Sequence, residues 1–199
     1  MRFVHALAVF YFLAAPGGFA LNPQPSAAAK GLVREIVMAD VSEPSTPEQA
    51  AEFLSKILPM ATAANPKYRS GASSELTQWL TKTVHFSASP KPPGIVISMS
   101  EEAAVFQGGA QTAVNSHQAT FAIEDVHIIE YEYPADTTET GEKAVGVMFK
   151  CDAGNCIRSS WNGHESDKSE ADLYVYDPTV RARILRAFGI LREAARGKA

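Results

Sequence analysis

Cys151 and Cys156, the only two cysteines in the chain, stand four residues apart across Asp152-Ala153-Gly154-Asn155. The spacing suits two strands that face each other across a hairpin. Facing residues of an antiparallel pair have Cα atoms about 4.5 or 5.5 Å apart, and both lie within reach of a disulfide. Gly154 or Asn155 can take the positive φ that such a turn needs. In the chain-entropy view so short a ring contributes roughly 2 kcal/mol, a local staple. Redox pairs favour two intervening residues at a helix start, and a metal site needs further ligands that this segment lacks. The expectation is a structural Cys151–Cys156 disulfide clamping a hairpin, with no metal site and no cofactor.

A disulfide implies an oxidising compartment, and the N-terminus agrees. Arg2 precedes a nearly unbroken apolar run from Phe3 to Ala15, Pro16-Gly17-Gly18 breaks it, and Gly18-Phe19-Ala20 places small residues where a signal peptidase reads. Such a core is well short of the roughly 20 residues that cross a bilayer. Residues 1–20 therefore read as a signal peptide cleaved after Ala20, with Ser26-Ala27-Ala28 as a later alternative. The protein is expected to be secreted or periplasmic, with no stable membrane span once the signal is removed.

Loss of residues 1–20 removes Arg2 and no acid, taking the net charge from -4 to -5. That balance argues against a nucleic-acid partner, which needs a basic footprint. Positive charge gathers at the end, where Arg181, Arg183, Arg186, Arg192, Arg196 and Lys198 face Glu193 alone; the acidic remainder can neutralise it internally.

Residues 21–45, rich in Pro, Ala and Ser, read as a flexible linker, with Leu32, Val33, Ile36 and Val37 able to form two helical turns. One globular domain over 46–199 follows. Thr46-Pro47-Glu48-Gln49 is a helix start with a capping box, and Ala50, Phe53, Leu54, Ile57 and Leu58 share one face. Pro59 is expected to end or kink this helix. Residues 65–74 read as a loop, and 76–86 as a second helix around Trp79 or an extended segment through Val84 and Phe86. From Pro93 the apolar period becomes two. Strands are expected at 95–99 and 103–106, with Gly108-Gly109 as a turn, then at 119–123 and 126–133. Residues 134–142 read as a polar turn, and further strands at 145–151, 156–160 and 173–176. Asp177 and Pro178 open a C-terminal amphipathic helix to about Ala195.

Short antiparallel strands closed by one helix make an α+β fold with a curled sheet. The stretch from about 76 to 196, through Phe121-Ala122-Ile123-Glu124-Asp125-Val126, Phe149-Lys150-Cys151, Cys156-Ile157 and Asp177-Pro178, resembles the pleckstrin-homology-like fold. It also looks like secreted bacterial proteins of that build. The resemblance implies a C-terminal helix plugging one end of the sheet and carries no functional residues.

His85, His117, His127 and His164 are scattered without metal-binding spacing, and no serine sits in a Gly-x-Ser-x-Gly or Ser-x-x-Lys setting. The acids at 124–125, 130, 132, 139 and 142 read as solvated strand edges. The segment 161–170 reads as a long polar loop with Trp161 at its mouth, and Trp161, Asn162 and His164 are the candidate binding residues. The expected function is a non-enzymatic module that binds a protein, peptide or envelope component through a sheet edge or this loop. Two alternatives are an exported hydrolase whose site is assembled only in the fold, testable by whether His127 or His164 meets a carboxylate or serine in a pocket, and a structural envelope protein.

Overall fold

Helix α1 (Pro47–Ala63) starts where Thr46 Oγ1 accepts the Gln49 amide at 3.3 Å. The Gln49 side chain closes the box one residue further back than expected, on the Ser45 amide at 3.0 Å. These contacts belong to a computed structural model that describes residues 43–88 and 94–197. The segments expected as a signal peptide and, but for its last residues, as a linker lie outside the described residues. Pro59 does not end α1: Ala61 and Thr62, beyond it, are buried. Thr62 Oγ1 accepts the Thr81 amide at 2.8 Å, tying the last turn to the sheet.

Nine antiparallel strands form one sheet: β1 (Tyr68–Ser70), β2 (Leu76–Ala88), β3 (Ile95–Gln107), β4 (Ala110–Ala122), β5 (Val126–Thr138), β6 (Lys143–Cys151), β7 (Ile157–Trp161), β8 (His164–Lys168) and β9 (Glu170–Tyr174). Residues 76–86 are thus a strand, with no second helix, and the expected loop at 65–74 contains β1. Strands 95–99 and 103–106 are one continuous element, and residues 110–118 are strand as well. The supposed turn at 134–142 is mostly the end of β5, which bulges between Tyr133 and Thr137 against β6.

The order across the sheet is β8-β7-β4-β3-β2-β1-β5-β6-β9. Its two edge strands are consecutive in the chain, with Ser169 alone between them, so the sheet must curl until its ends nearly meet. Phe121 of β4 lies 4.9 Å from Phe149 of β6, measured between ring centroids, although four strands lie between β4 and β6 in the sheet. Phe188 of the C-terminal helix α2 (Pro178–Ala195) packs edge-on at 5.0 Å from Phe149. This is the centre of a core in which Phe149 and Phe188 are fully buried, and each large apolar side chain so buried contributes about 1.5–3 kcal/mol.

Asp177 caps α2 by accepting the Thr179 and Val180 amides at 2.9 and 3.0 Å. The arginines of α2 are largely spent internally. Arg181, 6% exposed, donates to Glu130 and to the carbonyls of Val175 and Tyr176. Arg186 pairs with Glu43, and Arg192 and Arg196 with Asp152.

The disulfide joins Cys151 and Cys156, with Cα atoms 5.7 Å apart. It does not clamp a hairpin, because β6 and β7 are not neighbours in the sheet: β6 pairs with β5 and β9, and β7 with β4 and β8. Residues 152–155 carry the chain from one end of the curled sheet to the other, and the disulfide closes that corner.

Candidate functional site

The supposed loop at 161–170 is a hairpin. Asn162 (φ 49°) and Gly163 (φ 83°) both take left-handed backbone, the requirement of a two-residue type I′ turn, for which Asn-Gly is a leading sequence. Trp161 and His164 become cross-strand partners, and residues 164–168 become β8. Asn162 is spent on the turn: its Oδ1 accepts the Ser116 amide at 2.8 Å and its Nδ2 donates to Asn115 at 2.9 Å. His164 is exposed on β8. Of the three residues singled out in the sequence, Trp161 lines a cavity between the edge strands, and Asn162 and His164 are not part of that lining.

That cavity, of about 340 Å³, lies in the split between the two edge strands, where β8 and β9 diverge from Ser169. A volume of this size suits a small molecule. Registration explains its wall. Thr81, Glu101, His117 and Trp161 are successive cross-strand partners on β2, β3, β4 and β7, forming one rung of the sheet. Directly paired residues point to the same face, so the rung places all four side chains on one surface. Ser159, two residues before Trp161, shares it. Ser166 and Lys168 of β8 and Glu170, Asp172 and Tyr174 of β9 complete the lining.

The aromatic part is continuous. Trp79 lies 5.7 Å from Trp161 and stacks within 6° of parallel on Tyr174 at 5.9 Å. Trp161 is 39% exposed and tilts against His117 at 5.9 Å. These are offset or tilted ring contacts of the kind that stabilise aromatic clusters. Tyr174 is held from behind by Tyr133, stacked at 4.4 Å, and by its own hydroxyl, which donates to Asp136 at 2.7 Å. Burial raises the Tyr133 and Tyr174 hydroxyls far above the ordinary phenol value, so both stay protonated.

The polar part is a line of three side chains. His117 Nδ1 lies 3.0 Å from Glu101 Oε2, and His117 Nε2 lies 3.1 Å from Ser159 Oγ. Glu101 is 3% exposed and Ser159 6%, and Thr81 donates weakly to the second Glu101 oxygen at 3.4 Å. A carboxylate only accepts, so it sets the His117 proton on Nδ1 and leaves Nε2 to accept from the serine hydroxyl.

Asp172 stands on the opposite wall. Burial lifts its carboxyl to about 6, the Tyr133 hydroxyl works against that rise, and the charges of Glu170, Glu101 and Asp136 add to it. Its Oδ1 is buried without a hydrogen-bond partner among the described residues, and Asp172 is one of the residues that line the cavity.

The other histidine singled out for a hydrolase, His127, does reach a carboxylate, Asp152, but on the open surface with a side chain 62% exposed. Arg192 and Arg196 share that carboxylate. Among the described residues no group of three His, Cys, Asp or Glu side chains gathers as a metal site, and no helix is long and apolar enough to cross a membrane. No protein family, curated protein or solved structure matches the chain.

Glu101, His117, Ser159, Asp172 and Trp79 were missed in the sequence. For Trp161 and His164 the available signal was Asn162-Gly163. For Glu101 and His117 the Gly108-Gly109 turn puts them on facing strands, but counting from it pairs Glu101 with Ser116; the bulge between Val105 and Phe106 brings His117 opposite instead, and nothing local in the sequence announces it.

Proposed function

We propose that this protein is an exported binding module that takes a ring-faced, hydrogen-bond-donating small molecule, free or carried on an envelope component, into the split between β8 and β9. One observation carries the reading: both tryptophans of the chain and Tyr174 form one continuous aromatic wall, and beside Tyr174 on β9 stands Asp172, whose buried Oδ1 has no partner among the described residues. The aromatic wall suits the face of a ring, while Glu101, Glu170 and Asp172 accept from its donors. A closed disulfide fits an oxidising compartment. The pleckstrin-homology-like plan remains part of the proposal, supported by α2 packing against the curled sheet.

Because Trp79 and Trp161 are the only tryptophans, intrinsic fluorescence reports this pocket. Titration with a panel of ring-bearing saccharides, amines and aromatic alcohols is expected to give a saturable emission change for at least one class. Trp161→Ala should weaken that binding at least tenfold. A panel that leaves emission unchanged, or binding indifferent to Trp161→Ala, overturns the reading.

A further inference from the structure

We infer that Ser159 is a nucleophile, activated by His117 and Glu101, and that the pocket performs acyl transfer to water on an ester-bearing ligand. This goes beyond binding, and it rests on the pocket admitting a ligand. Three features carry it. The relay is formed at 3.0 and 3.1 Å. Its members come from three different strands, β3, β4 and β7, so the rigid sheet and not a mobile loop fixes their distances. And all three line the cavity. Nucleophile, base and orienting carboxylate within hydrogen-bond reach are the geometric signature of an activated serine, independent of sequence order or fold.

A developing oxyanion needs donors. Ser159 sits on an interior strand, paired with Ala119 on one side and Ser166 on the other, so its own amide belongs to the sheet. Side chains take that role here. The Ser166 hydroxyl faces Ser159 directly across β7 and β8, and the Lys168 ammonium is one cross-strand pair further along the same face, opposite Ile157.

The step is as follows. Ser159 Oγ forms a bond to the acyl carbon as its proton passes to His117 Nε2, and the carbonyl oxygen takes the negative charge. The carbon–oxygen bond to the leaving alcohol breaks, and that alkoxide takes the proton back from Nε2. A water then attacks the acyl-serine, gives its proton to His117, and the carboxylic acid leaves as Ser159 Oγ is reprotonated. Ser159 and His117 are catalytic; Glu101 is a positioning residue, acting through the His117 ring.

The test treats the full chain with a fluorophosphonate and maps the adduct by intact mass and peptide sequencing, alongside hydrolysis of p-nitrophenyl esters. A single adduct on Ser159 is expected, with none on Ser160, whose side chain points to the other face. Ser159→Ala should abolish both adduct and turnover, and His117→Ala should cost about 10²-fold or more in kcat. Glu101→Gln should lower kcat with KM little changed and displace the acid limb of the kcat–pH profile, which a purely structural role leaves in place. Wild-type mapping needs no variant, so a misfolded mutant cannot obscure the answer. No adduct together with no ester turnover overturns the inference, as does an adduct elsewhere; a saturable tryptophan signal in the same preparation then leaves the binding reading standing.

Discussion

Gly146→Ala tests whether β9 is a true wall of the pocket. Gly146 on β6 pairs with Tyr174 on β9, and a Cβ built there would lie 2.3 Å from the Leu173 carbonyl oxygen and 3.0 Å from the Tyr174 Cα. Both are backbone atoms, so no rotamer change relieves the clash. Restoring ordinary contact means moving β9 by about 1 Å, and overpacking of this kind costs about 1–3 kcal/mol. For a domain of this size the melting temperature should fall by roughly 2–12 °C. Because Asp172 and Tyr174 ride on β9, the same shift should weaken ligand binding about tenfold. Gly189→Ala is the control. It lies within α2 with nothing within 4 Å of the added atom, and there the change should stabilise by about 0.5–1 kcal/mol. The measurement is thermal unfolding of the three proteins, followed by the tryptophan titration. If Gly146→Ala melts with the wild type, the close approach of β6 and β9 is not rigid and the reasoning fails. If it melts early but binds normally, β9 is no part of the site.

Other outcomes follow from the same geometry. A carboxyl held at about 6 in the folded chain, against an ordinary value near 3.9, binds more protons folded than unfolded between those values. The Asp172 contribution to stability therefore falls as pH rises from about 4 to 6 and is flat above; Asp172→Asn should remove that slope and gain roughly 1–2 kcal/mol at pH 7.5 after allowance for solvent screening, read from urea melts at the two pH values. Arg181→Ala strips the Val175 and Tyr176 carbonyls of their donor and should cost about 2–3 kcal/mol by the same assay, with Arg181→Lys recovering only part. The double change Glu101→Leu with His117→Leu should leave stability unchanged or raise it by about 1–4 kcal/mol while abolishing adduct formation at Ser159; a melt well below the wild type means the pair is structural.

The elements most legible in the sequence were those with local chemistry: Thr46 and Asp177 as caps, the apolar face of α1 from Ala50 to Leu58, and the face of α2 through Ile184 and Phe188. Strand period gave the antiparallel sheet but not its extent. Ser100-Glu101-Glu102 and the polar run from Gln111 to Gln118 looked like interruptions, yet both lie inside 13-residue strands. Periodicity counts a buried glutamate as a break, because it cannot see that the neighbouring strand supplies a histidine. The cysteine pair misled for a related reason. Spacing alone suggested a hairpin, whereas the pairing of β6 with β9 and of β7 with β4 is decided by contacts distant in sequence. The candidate site was correspondingly half visible: Trp161 stands at the mouth of the cavity, while Asn162 builds the turn and His164 lies outside the lining.

These two misreadings share a cause that bears on function. A buried Glu101–His117 pair is a poor way to stabilise a core, since desolvation offsets most of its attraction and apolar residues of similar size usually serve at least as well. Apolar residues occupy the next same-face positions on these strands: Met99 on β3, Ala119 on β4 and Ile157 on β7 are all buried. The line of polar side chains starts at Ser159, in the same rung as Met99 and Ala119, and continues into the Glu101–His117 rung, where the cavity opens. Sites that break a local folding rule are where function is expected to sit, and here the break coincides with the cavity, with both tryptophans and with a carboxylate oxygen on β9 that has no partner among the described residues. The disulfide closes the corner between β6 and β7 and so links covalently the strands that carry the two walls, β7 directly and β9 through its pairing with β6.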